Sequence, residues 1–79
     1  MEEKIRRVKE AAIKELEKAR REVGISILEL SRRAGLGRET VYFWNSGRAF
    51  PRIETLVMVA DTLGKNVEIR LVDKEESHE

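Results

Sequence analysis

Apolar residues recur at three- and four-residue steps from Glu2 to about Glu22. Ile5, Val8, Ala12, Leu16, Ala19 and Val23 fall on one stripe, and the opposite face is Glu, Lys and Arg with favourable pairs such as Glu10–Lys14. This spacing predicts one long amphipathic helix, closed by Gly24 as a left-handed C′ residue. Ser26 opens a second helix. Glu29 three residues on completes a capping box, and Ile25 and Leu30 occupy the N′ and N4 positions of a hydrophobic staple. That helix is expected to run to about Ala34, where Gly35-Leu36-Gly37 breaks it. A third is expected from about Arg38 to Asn45 with Gly37 as N-cap, Val41 and Trp44 facing inward, and Gly47 ending it. Arg48 to Pro51 reads as a loop, because the residue before a proline is pushed out of the α region. A fourth helix is expected over about Arg52 to Leu63, with Leu56, Val59, Ala60 and Leu63 as its buried stripe and Gly64 as its stop.

Beyond Gly64 the period changes. Val67-Glu68-Ile69-Arg70-Leu71 alternates apolar and polar, and Val72 extends the apolar character, which predicts a short strand over residues 67–72. One strand cannot satisfy its own backbone groups. It can pair with its copy in a two-fold dimer, lie along the first helix with water completing its hydrogen bonds, or add to the sheet of a partner protein. Dimer pairing is the leading expectation. Asp73 to Glu79 is polar and reads as a frayed end.

At 79 residues there is room for one domain, residues 1–79. The chain is 41% hydrophobic and 39% charged, which supports a modest core under a heavily charged surface. The absence of cysteine excludes a disulfide framework, a thiolate metal site and a cysteine nucleophile, and the only histidine, His78, lies in the polar tail. No apolar run approaches the roughly 18 residues of a membrane span, and no secretory leader is visible. A reduced, cytoplasmic setting with no membrane partner is therefore expected. The residues of a nucleophilic triad, a carboxylate pocket and a phosphate-cradling glycine loop are all missing, so neither an enzyme nor a cofactor nor a bound metal is expected.

Net charge is only +1, but it is unevenly spread. Residues 1–30 hold eight basic against seven acidic groups. Residues 31–52 hold five arginines (Arg32, Arg33, Arg38, Arg48, Arg52) against Glu39 alone, a balance of +4. Residues 53–79 hold three basic against seven acidic groups, a balance of −4. A basic centre between a neutral helix and an acidic end is the local electrostatic footprint expected of a nucleic-acid binder.

Two short helices around a tight Gly-Leu-Gly turn form the layout of a helix-turn-helix, whose second helix enters the DNA major groove. From Gly24 to Gly64 the match to one family is long and ungapped. It includes Gly24-Ile25-Ser26, Glu29-Leu30, Gly35-Leu36, Thr40-Val41, Gly47, Pro51, Glu54-Thr55-Leu56, Ala60 and Leu63-Gly64. On these residues the chain resembles the Cro/phage-repressor, or XRE, type of helix-turn-helix. The resemblance implies an all-α, lambda-repressor-like domain of four to five helices, here with a long N-terminal helix and a short C-terminal β-strand. It implies sequence-specific binding of double-stranded DNA. The segment Pro51-Arg52-Ile53-Glu54-Thr55-Leu56 followed by Leu63-Gly64 and a hydrophobic strand is also similar to antitoxins, which bind a toxin protein as well as their own promoter. In that case Val57, Met58 and the strand would supply the protein-binding surface. The regular charge pairs and tidy caps of the first helix are those of idealised sequences, whether designed on this scaffold or found in thermophile domains.

The resemblance assigns roles to side chains. Base edges would be reached from the start and outward face of the third helix: Arg38, Glu39, Thr40, Tyr42 and Phe43. Arg38 has the planar fork that matches guanine O6 and N7, Glu39 can accept from cytosine N4 or orient Arg38, and Phe43 can touch a thymine methyl. Phosphates would be held by Ser26 with the free N–H groups of the second helix, by Ser46, Gly47 and Arg48, and by Arg52. Arg32 and Arg33, at the far end of the second helix, are weaker candidates. Three positions depart from the family pattern. Ile27 stands where glutamine commonly contacts the DNA backbone, Gly37 where the third helix commonly has a Ser or Thr cap, and Asn45 where a glutamate is common.

Overall fold

The computed structural model describes residues 1–74, in which four helices follow one another: α1 Glu2–Val23, α2 Ile27–Ala34, α3 Thr40–Asn45 and α4 Ile53–Thr62. α1 ends as its sequence demands. Gly24 takes the left-handed conformation (φ 85°) and its N–H donates to the Arg20 carbonyl. The cap of α2 is half of the expected box. Ser26 Oγ accepts from the Glu29 N–H at 3.0 Å, but the Glu29 carboxylate turns away to Arg32 and Arg33 instead of returning to the cap. Gly35 (φ 71°) closes α2, a conformation only glycine adopts without cost.

α2 packs against α4 and α3, and α1 against α4. Their shared core is Ala19, Leu30, Ala34, Val41, Trp44, Val59 and Leu63, with Ile13, Leu16, Ile25, Ile27 and Leu36 against its edge. Ala60 and Pro51 are buried as well. The inward positions expected for α3 and α4 are thus the buried ones, except that Leu56 is half-buried. The staple residue Leu30 is 2% exposed.

Four expectations are corrected. First, residues 67–72 form no strand. They carry no regular secondary structure, and the described residues offer no second strand to supply partners. The segment runs beside α1 and α4 and shares with them a groove whose walls include Val8, Leu16 and Leu56. Second, the apolar stripe of α1 is buried only at its C-terminal end. Ala19 is buried and Ala12 and Leu16 are half-buried, whereas Ile5 and Val8 are exposed because the other helices stop short of the first turns, and Val23, at the very end of α1, is exposed as well. Ile13, outside the expected stripe, packs on the core. Third, α3 begins at Thr40 rather than Arg38. The Thr40 N–H closes a tight turn onto the Gly37 carbonyl at 3.2 Å and the first α-helical bond runs from Phe43 to Glu39, so Glu39 replaces Gly37 as N-cap. Fourth, α4 begins at Ile53, with Arg52 as its extended N-cap residue. Of the tail expected to fray, residues 75–79 lie outside the described residues.

One buried group is out of place. Ser31 is 1% exposed in the interior face of α2 and its Oγ has no hydrogen-bond partner among the described residues. An unpaired buried hydroxyl carries its full desolvation penalty, and alanine is the better helix former. Ser31→Ala is therefore expected to raise the free energy of unfolding by about 1 kcal/mol, read from the midpoint of a urea titration. A lower midpoint would show that the hydroxyl is hydrogen-bonded in solution.

Candidate nucleic-acid interface

α3 is rooted by Val41 and Trp44, 3% and 5% exposed. Rooting these two positions turns the intervening ones outward. Arg38 and Glu39, on the turn before the helix, and Tyr42 in its first turn are exposed, while Thr40 and Phe43 are half-buried. The expected base-reading residues are thus all at least partly accessible, but Arg38 and Glu39 present themselves from a turn. Arg38 forms no ion pair among the described residues.

Phe43 has a second task. Its ring underlies the Arg48 guanidinium, with the guanidinium carbon 5.0 Å from the ring centroid, a cation–π contact that limits how Arg48 can point. Its carbonyl accepts from the Arg48 N–H at 2.9 Å and from Ser46 Oγ at 3.1 Å. The Gly47 N–H donates to Trp44. The Ser46 hydroxyl and the Gly47 N–H, both expected at a phosphate, are thus already spent within the chain, and Arg48 and Arg52 remain as the exposed donors of this loop.

On the other flank, Ser26 is exposed with its Oγ engaged by Glu29. The N–H groups of Ser26, Ile27 and Leu28 have no acceptor among the described residues, as at any helix start. Ile27 is half-buried against the core, so the residue that departs from the family's glutamine is a packing residue here.

Behind this face sits a brace that the sequence reading passed over. Arg20 grips Glu17 through two bonds, Nε–Oε2 3.1 Å and Nη2–Oε1 2.8 Å, and its Nη1 donates to the Ile25 carbonyl at 2.6 Å. Both side chains are largely buried, at 14% and 19% exposure. The Arg20 guanidinium holds the Glu17 carboxyl below its ordinary range, overriding the opposite effect of burial, and the Asn45 amide of α3 adds to it. The pair therefore joins the end of α1 to the α1–α2 turn, with Asn45 of α3 beside it. The signal available in the sequence was a Glu–Arg pair at i,i+3 beside buried Ala19.

Arg32 and Arg33 are tied to Glu29, with Nη2–Oε2 2.5 Å and Nε–Oε2 2.7 Å respectively. Arg32, then Arg33, hold Glu29 down to about 2 against an ordinary 4.5. The unfolded chain takes up this proton near pH 4.5 and the folded chain only near pH 2, so the stabilisation is whole above pH 4.5 and is lost as pH falls towards 2. The thermal midpoint of the chain is expected to exceed that of Glu29→Gln at pH 6, with the gap closing between pH 4.5 and 2. A gap independent of pH would show that the pair adds nothing in solution.

A family model described as helix-turn-helix (HTH_3) matches residues 16–69, the span from the middle of α1 through α4 into the extended segment. Comparison with curated proteins and with solved structures gave no match. No helix among the described residues is long and apolar enough to cross a membrane. With the family model covering most of the chain and all of the interface above, the chain belongs to the XRE-type helix-turn-helix family, a family of DNA-binding transcription regulators and not of enzymes.

Proposed function

We propose that this protein reads double-stranded DNA by sequence, with α3 and the turn before it in the major groove. The observation that carries the reading is the division of labour around Val41 and Trp44. Both are sunk in the core, and Arg38, Glu39 and Tyr42 face outward beside half-buried Thr40 and Phe43. Arg38 is the principal reader, its fork matched to guanine, and Glu39 accepts from cytosine or orients Arg38. Thr40, Tyr42 and the edge of Phe43 complete the reading surface. The phosphates on one side meet Arg48, stacked on Phe43, and Arg52, with Ser46 and Gly47 shaping the loop that carries them. Those on the other side meet Ser26 and the free N–H groups of the first turn of α2.

A second reading is carried by the extended segment. Ile69, Leu71 and Val72 are 71%, 97% and 81% exposed, and Val57 and Met58 on α4 are exposed too. Apolar residues in this number on so small a surface mark a protein-binding site. The occupant of residues 67–72 is a second copy of the chain, or a toxin protein in the antitoxin manner.

Two measurements test these readings. On a duplex selected from a random library, Arg38→Ala is expected to cost about 5- to 150-fold in discrimination at one base pair, about 1–3 kcal/mol. Arg48→Ala is expected to weaken all sequences about equally. The same pattern from both variants would refute the split between reading and anchoring. Light scattering of the full chain is expected to give the mass of two chains, falling to one in Ile69→Arg/Leu71→Arg. A single-chain mass for the unaltered protein removes the dimer.

A further inference from the structure

α1 carries cations that no contact within the protein explains. Lys14, Lys18 and Arg21 recur at i, i+4 and i+7, which puts them on one face of the helix. All three are exposed, and neither lysine has an ion pair among the described residues. Together with Ile13, Glu17 and Glu22 they line an open depression whose remaining wall is Asn45, the last residue of α3. The two carboxylates there are engaged elsewhere. Glu17 is held by Arg20 in two bonds, with Arg21 only at 3.9 Å, and Glu22 faces Lys65 at 3.4 Å. The depression is therefore net positive in a chain whose overall charge is +1.

Its position says which anion it suits. Asn45 ends a helix of six residues, about 9 Å long at 1.5 Å per residue. The major groove is about 12 Å wide, so a helix this short leaves the groups beside its end close to a phosphate rim. Arg21 precedes by only five residues Ser26, where the free N–H groups of α2 begin. The depression thus meets α3 at Asn45 and lies close along the chain to that row of donors.

We propose that Lys14, Lys18 and Arg21 bind the DNA sugar–phosphate backbone beside α3, extending the contact from the α2 N-terminus along the last three turns of α1. The proposal rests on the reading of α3 as the recognition element. The three cations add affinity and salt dependence and carry no sequence information, because phosphates are the same at every base pair.

The test is the salt dependence of binding to a duplex selected from a random library. It compares the full chain, the variant Lys14→Gln/Lys18→Gln/Arg21→Gln, and the variant Lys4→Gln/Arg6→Gln/Arg7→Gln. The last removes equal charge from the far end of α1, more than a Debye length (about 10 Å at 0.1 M) from Lys14. The first variant is expected to lower the slope of log K against log[salt] by about 2 to 3, at about 0.9 per phosphate contact. It should keep the rank order of single-base-pair variants and the thermal midpoint. The second is expected to leave the slope within about 0.5 of the full chain's. Equal slopes in the full chain and the first variant, or equal losses in both variants, overturn this proposal and leave DNA reading by α3 standing. Absence of salt-dependent binding by the full chain overturns both.

Discussion

A six-residue helix has no stability of its own. The cost of nucleation leaves isolated helices marginal below about 12 residues, so α3 exists because Val41 and Trp44 are sunk in the shared core, where α3 packs against α2. Each fully buried side chain of this kind contributes about 1.5–3 kcal/mol, and no other residue of α3 is buried. The same two contacts hold the helix in place and set its rotation about its own axis. They leave Arg38, Glu39 and Tyr42 to solvent. Core and interface are thus opposite faces of one short element.

The charged groups divide in a parallel way. Over the first half of α1 the arginines are paired with glutamates on the same helix: Arg6 with Glu3 and Glu10, and Arg7 with Glu3. Such exposed pairs are worth little each. Arg20–Glu17 differs because it is shielded and bidentate, and Arg20 also holds the Ile25 carbonyl at the point where α1 hands over to α2. On the proposed DNA face the arrangement changes. Arg38 has no carboxylate partner among the described residues, and Arg48 is held by an aromatic ring. A ring positions a guanidinium without neutralising it, so Arg48 keeps its charge for an outside anion.

The order of helices, their breaks and the inward residues of α3 and α4 were legible because they rest on local rules. Gly24 and Gly35 adopt the left-handed turns their positions require, Ser26 caps α2, and spacing by three and four marks the buried stripes. What was not legible depended on how far the neighbours reach. Ile5 and Val8 continue the pattern of Leu16 and Ala19, yet both stay exposed, because periodicity reports a face and not the length of its partner. Alternation over residues 67–72 likewise reports a chain suited to a sheet, and the sheet needs a second strand that the described residues do not supply. In the candidate interface the residue types were readable, but the spending of the Ser46 and Gly47 donors inside their own turn was not. Hydrogen-bond partners three residues back depend on backbone conformation, which a run such as Asn45-Ser46-Gly47 leaves open.

The uncovered half of α1 gives the domain a stiff lever. The helix continues 11 residues before Ile13, its first residue against the core, a reach of about 16 Å at 1.5 Å per residue. A second module joined to it through unbroken helix would inherit a fixed phase. Each residue inserted at the junction would turn that module by about 100° and move it 1.5 Å along the axis. Linker length would then act as an angular setting and not merely a tether, so two such domains could be aimed at successive turns of one duplex by counting residues.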